Sequence, residues 1–177
     1  RVFRIYINWT PIFIDSEAES SNLDPELVAN LVHEQIRSGT KPAAIVVVHV
    51  YGHPANIGPI IEVAKQYDIP VIEDAAESLG ATFNNRPVGT LGTVGAFSFN
   101  GNKMMTCGGG GMAVTRNKTI ADRIRHLSTQ SRKPGSGYEH DEVGFNYRMT
   151  NLQAAIGCVQ LKKLKMRVKQ VLYKLYN

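Results

Sequence analysis

Lys103 stands between an apolar run and four consecutive glycines, in the segment Phe97–Met112, FSFNGNKMMTCGGGGM. Glycines adopt backbone angles closed to other residues and let the chain approach a ligand closely. The amine of a lysine held there can serve covalent and acid–base catalysis. A surface lysine in a glycine-rich turn is the plain alternative. A nucleotide-binding P-loop fits poorly, because that pattern sets its glycines before Lys-Ser/Thr and here the lysine comes first. The second segment of interest is Val71–Ala81, VIEDAAESLGA. Asp74 follows a short strand-like run, a position that more often holds a helix cap than a reactive group. Its company matters: small Ala75 and Ala76 leave room for a flat ring against the backbone, and Glu77 offers a further polar contact.

Other reactive side chains carry weaker arguments. His49 and His53 are four apart, but Val48–Tyr51 reads as strand and turn. A metal-binding pair on one helix face is therefore disfavoured, and no metal is expected. Tyr138, Glu139 and His140 follow the flexible loop SRKPGSG (131–137) and can reach a substrate or serve only the loop. Cys107 reads as a small packing residue beside the glycines.

The elements that must position these residues alternate between strand and helix. PIFID (11–15) reads as a short strand ending at a carboxylate. Asp24-Pro25 is an N-cap followed by proline at the first helical position, and Leu27, Val28, Leu31, Val32 and Ile36 recur at helical spacing. AIVVVHV (44–50) is a β-branched run suited to burial on both faces. Ile57, Ile60, Ile61, Ala64 and Tyr67 form the next helical stripe, and PVIE (70–73) the next buried strand, ending just before Asp74. GAFSF (95–99) and MAVT (112–115) are two further strands, followed by a helix marked by Ile120, Ile124 and Leu127. The last helix begins near Thr150 and continues through the basic end, with Leu161, Leu164, Val168 and Leu172 on its buried side. This order predicts an α/β domain with a mostly parallel sheet. In such sheets ligands bind at the C-terminal ends of strands, where Asp74 and Lys103 fall.

Composition bounds the rest. With 177 residues, 43% hydrophobic and 20% charged, the chain can bury a sizeable core. The net charge of +5 is concentrated near the end, at Lys162, Lys163, Lys165, Arg167, Lys169 and Lys174. A solvated face of an amphipathic helix explains it better than nucleic acid or a membrane surface. Two cysteines without CxxC spacing point to a reducing compartment, so a cytoplasmic protein is expected. The opening residues RVFRIYINWT lack the apolar core and cleavage site of a signal peptide.

The two chemical segments together resemble the DegT/DnrJ/StrS family of sugar aminotransferases. The motifs that carry the resemblance are VIEDAAESLGA, GTLGTVGAFSFNGNK, GGGGM, LSTQ and GFNYRMTNLQAAIG, in that order. The resemblance covers Pro11 to about Arg167. Nearest in pattern are members that aminate C4 of UDP-linked 4-keto-6-deoxy sugars. The resemblance implies the large domain of a fold type I, aspartate aminotransferase-like pyridoxal 5′-phosphate enzyme. It implies that Lys103 is the Schiff-base lysine and later the proton-transferring base. Asp74 would keep the pyridine nitrogen protonated, Ala76 would pack on one face of the ring, and Glu77 would lie near the ring hydroxyl. Ser98 would donate to the cofactor phosphate, and Asn146 would reach the phosphate in a neighbouring subunit, which implies a homodimer with shared sites. Glutamate would be the amino donor and a nucleotide-linked keto sugar the acceptor. Dehydratases of the same fold replace the lysine with histidine, so Lys103 points to transamination. The family's phosphate-binding turn and C-terminal small domain are not found in this sequence. The expected organisation is an atypical lead-in over 1–10, an incomplete cofactor-binding domain over 11–160, and over 161–177 the start of a helix leading to the small domain. A non-catalytic remnant or interaction module is the other reading of such a chain.

Overall fold

The computed structural model describes residues 9–135 and 137–176, so most of the expected lead-in lies outside the described residues. Five α-helices are described: α1 (Pro25–Arg37), α2 (Ile57–Gln66), α3 (Lys118–Ser128), α4 (Asn151–Lys162) and α5 (Leu164–Tyr176). The strands are β1 (Ile45–Val48), β2 (Val71–Asp74), β3 (Thr82–Phe83), β4 (Arg86–Pro87), β5 (Val94–Ser98) and β6 (Gly111–Val114). Four of them form one sheet in the order β1-β2-β5-β6. The pairs β1–β2 and β2–β5 are parallel, and β6 closes antiparallel on β5. The α/β class and the mostly parallel sheet thus agree with the sequence reading.

The register explains which residues reach the core. Ile45 pairs with Val71, Val47 with Glu73, and Glu73 with Gly95. Alternation puts these residues on one face of the sheet, where all are buried. Helices α1 and α2 supply the facing layer through Val28, Val32, Ile57, Ile60, Val63 and Ala64. Helix α1 starts where expected: the Asp24 carboxylate accepts from the amides of Glu26 (2.8 Å) and Leu27 (3.2 Å), and Pro25 opens the helix. Residues of the opposite phase, Val46 and Val48, remain exposed, so β1 is not covered on both faces as the sequence suggested.

Two other expectations need correction. PIFID forms no strand; Ile12 and Phe13 are exposed, and the nearest pairing is a single bridge between Ser16 and Leu23. Pro11 cannot donate to a ladder, and no described strand lies beside this run. The final helix is two helices rather than one, broken at Lys163. Leu164 and Val168 are partly buried, while Leu161 on the preceding helix and Leu172 farther along the last one are exposed. A small hairpin, β3–β4, was not foreseen, although its turn residues Asn84 (φ 48°) and Asn85 (φ 60°) are of the type that tolerates left-handed backbone.

A buried carboxylate ties the strands to the loop that leads into β5. Glu73 is fully buried and accepts from the amides of Gly89 (2.6 Å), Leu91 (2.7 Å) and Gly92 (2.6 Å). His49, just beyond β1, contributes Nε2 at 3.1 Å from the same carboxylate. The Ala55 amide donates to His49 Nδ1 at 3.0 Å, so the ring proton lies on Nε2 and is donated to Glu73. The loop can lie this close only because Gly95 has no side chain: a Cβ there would stand 1.9 Å from the Gly89 carbonyl oxygen. Burial acts to raise the Glu73 carboxyl, but the hydrogen bonds from His49 and the three loop amides outweigh it and hold the group below the ordinary glutamate range.

Removing one member of such a network leaves the others buried and unpaired, so Glu73→Ala is expected to cost about 3–5 kcal/mol in urea unfolding. Because the folded-state carboxyl is depressed, its stabilisation is complete above the ordinary glutamate range and is lost as pH falls through the folded value. The native protein should therefore lose stability more steeply on acidification than Glu73→Gln; parallel curves would refute this origin.

Candidate active site

The C-terminal ends of β2 and β5 bring five of the six expected residues into one region. Asp74 is the last residue of β2 and pairs in register with Ala96 of β5. Ser98, two residues on, is the last of β5 and shares the face of Asp74 and Ala96, opposite to Glu73 and Gly95. The amide of His49 donates to the Asp74 carbonyl (3.0 Å), and the amide of Ala75 donates to that of Ala96 (2.9 Å). The strand end is thus bonded to both neighbours. The chain then turns: Asp74 Oδ1 accepts from the Ala76 amide at 3.1 Å, which presents a small, half-buried methyl group and then Glu77.

Lys103 returns to this turn from the loop after β5. Its Nζ donates to Glu77 Oε1 at 2.8 Å, with the lysine side chain largely buried and the carboxylate partly exposed. The hydrogen bond and charge of Lys103 hold the Glu77 carboxyl below its ordinary range, and the Tyr51 amide adds to the effect. The loop that carries Lys103 is anchored on both sides. Phe99 receives the Cys107 amide (2.9 Å), and Phe99, Met105 and Cys107 pack beneath it in a small buried cluster. Ser98 Oγ accepts from the Asn100 amide at 3.3 Å, at the start of the same loop.

Asn146 stands apart. It is exposed and bridged to Thr129, on a strip whose residues Phe145 and Tyr147 bond to Leu127 and Ser128. Among the described residues no hydrogen bond links it to the strand-end group. Tyr138, Glu139 and His140 are likewise exposed, and the Arg132 guanidinium sits over the Tyr138 ring at 5.0 Å. The loop contact is thus internal.

Sequence reasoning missed two residues that hold this region. His49 was weighed only as a metal ligand, yet its ring is spent on Glu73 and Ala55. Asn22 is fully buried, accepts from the Val50 amide (2.8 Å) and donates to the His53 carbonyl (3.2 Å). It thereby fixes both sides of the one-turn 3-10 helix Val50–Gly52 beside Glu77. A lone Asn in a loop carries no periodic signal that marks it. His126, Asp141 and Glu142 also cluster closely enough to hold an ion, but Glu142 is occupied by both guanidinium nitrogens of Arg123. No metal centre is assigned there.

Residues 4–177 match the DegT/DnrJ/EryC1/StrS aminotransferase family. The chain belongs to this family. Its relatives include EpsN of Bacillus subtilis (strain 168), 42% identical over 166 residues, which cover 94% of this chain and 43% of that protein. GDP-perosamine synthase of Escherichia coli O157:H7 is 44% identical over 158 residues, 89% of this chain and 42% of the synthase. The crystal structure of a DegT/DnrJ/EryC1/StrS aminotransferase from Brucella abortus superposes with a TM-score of 0.80 at 32% identity, over 87% of this chain and 42% of that one. The chain therefore spans less than half the length of these family members. None of the described helices is long and apolar enough to cross a membrane.

The pairing of Lys103 with Glu77 is directly measurable. In Lys103→Met, the Glu77 carboxyl should titrate closer to the ordinary glutamate range, because its strongest depressing partner is gone. Carbon-13 NMR of the glutamate carboxylates reads this. An unmoved Glu77 resonance would show that the two side chains do not pair.

Proposed function

We propose that the protein carrying this chain transfers an amino group from glutamate to a nucleotide-linked keto sugar, with pyridoxal 5′-phosphate as cofactor. The observation that carries the reading is the 2.8 Å bond between Lys103 and the turn that follows Asp74. It unites an amine and a carboxylate that stand 26 positions apart in the sequence at one end of the sheet.

The residues there suit the cofactor's separate parts. The Lys103 amine is the group for its aldehyde, and the Asp74 carboxylate at the strand end is the partner for a protonated ring nitrogen. Ala76 offers a small apolar surface to one face of a flat ring. Glu77 would meet the ring hydroxyl, and the Ser98 hydroxyl would donate to the phosphate. When bound, the cofactor supplies an electron sink for the carbon that loses or gains the amine. The chain's own part is to hold the ring nitrogen protonated through Asp74 and to move a proton with Lys103. Exposed Asn146, away from this group, is the residue we assign to the phosphate in a partner subunit, and a homodimer with shared sites follows from that assignment. Free Cys107 and Cys158 suit a cytoplasmic enzyme.

The substrate expected from the motifs is a UDP-linked 4-keto-6-deoxy sugar. The 44% identity to a GDP-perosamine synthase favours a GDP-linked sugar as the second reading. Assay of the full-length protein with glutamate against UDP-, GDP- and dTDP-linked keto sugars separates them. Formation of 2-oxoglutarate with one of these sugars is expected, and Lys103→Ala should reduce it to background. Loss of the sugar without 2-oxoglutarate would indicate a dehydratase, and turnover by Lys103→Ala would remove the assigned role.

A further inference from the structure

Resting on the reading above, we propose that Tyr51 is a specificity-determining residue whose ring contacts the hexose of the nucleotide-linked sugar. The turn that carries it sits against the candidate site. A Cβ on Gly52 would stand 2.8 Å from the Glu77 carbonyl oxygen, so the backbones of the two turns are in direct contact. Glu77 is the residue that receives Lys103 Nζ.

Tyr51 itself is in an unfavourable state on two counts. Its backbone is left-handed (φ 52°, ψ 24°), a conformation in which a bulky non-glycine residue is an outlier. The residue is 92% exposed, so packing within the described chain does not compensate. Such residues persist where their surroundings over-determine them, and they concentrate at ligand sites. Here the surroundings are fully specified. Buried Asn22 holds the Val50 amide and the His53 carbonyl on either side, and His49 is locked between Glu73 and Ala55. The result is a rigid pedestal with an aromatic ring at its tip.

The position of the pedestal selects the part of the substrate. The carbonyl carbon to be aminated must come to the region of Lys103, so the group beside it is the sugar, with the nucleotide farther away. The axial C–H groups of a hexose pack on an aromatic face, and the phenol oxygen can exchange a hydrogen bond with a sugar hydroxyl. No covalent step is assigned to Tyr51.

The test uses the full-length protein loaded with pyridoxal phosphate, as the native form and as Tyr51→Gly and Tyr51→Phe. Glycine suits the left-handed backbone, so Tyr51→Gly removes the ring without adding strain. Calorimetric titration measures the dissociation constants of UDP- and GDP-linked 4-keto-6-deoxyhexose and of UDP and GDP alone, and thermal unfolding is recorded alongside. Expected for Tyr51→Gly is about tenfold weaker binding of the preferred sugar nucleotide. The free diphosphate should bind as before and the melting temperature should not fall. Tyr51→Phe should retain most of the affinity. Unchanged sugar binding, equal loss for the free diphosphate, or a loss that tracks a lowered melting temperature would each overturn the proposal. Failure of the native protein to bind pyridoxal phosphate at all would instead remove the reading on which it rests, and the loading step reports that separately.

Discussion

The buried Glu73 carboxylate is the constraint on which the rest of this chain depends. Four donors converge on it: one imidazole from beyond β1 and three amides from the loop entering β5. A carboxylate without such partners would be strongly disfavoured in this core. With them, three segments remote in sequence are fixed to one point. The residue after Glu73 is Asp74, and the strand that begins at the tethered loop ends at Ser98 and leads to Lys103. The geometry of the candidate site is therefore inherited from a polar contact on the other face of the same strand.

The site face is built by weaker and more exposed interactions. Lys103 and Glu77 meet in a partly solvated position, where an ion pair contributes little to stability. That is suited to a lysine that must change partners. The division of labour is clear across β2. The inward residue Glu73 is immobilised by hydrogen bonds, and the residues at and after the strand end are left with their functional groups accessible. Asn22 and His49 extend the rigid part to the Tyr51 turn, so the region is framed by fixed backbone on two sides.

Much of this was legible in the sequence, and the reasons for the exceptions are physical. Asp74 and Lys103 were locatable because strands are short β-branched runs and α/β sheets present ligands at their C-terminal ends. Family resemblance then gave these residues roles that spacing alone did not. Glu73 and His49 were missed as a pair because they are 24 positions apart and neither breaks a pattern. A buried carboxylate looks like any acid at a strand end until its partners are known. PIFID failed as a strand because apolar alternation says nothing about whether a neighbour exists to pair with it. The buried stripe assigned across Leu161–Leu172 failed at both ends: a break at Lys163, which nothing in the run of lysines marks, puts Leu161 on a separate helix, and Leu172 is exposed. Asn146 was placed by resemblance alone; it is exposed, and among the described residues no hydrogen bond joins it to the site.

The claim that most needs a direct test is that Lys103 is the residue that captures the cofactor. The full-length protein would be incubated with pyridoxal phosphate, reduced with borohydride, digested and mapped by mass spectrometry. The account predicts one stoichiometric phosphopyridoxyl group on the peptide containing Lys103. Stoichiometric label on a different lysine, with Lys103 unmodified, would contradict it.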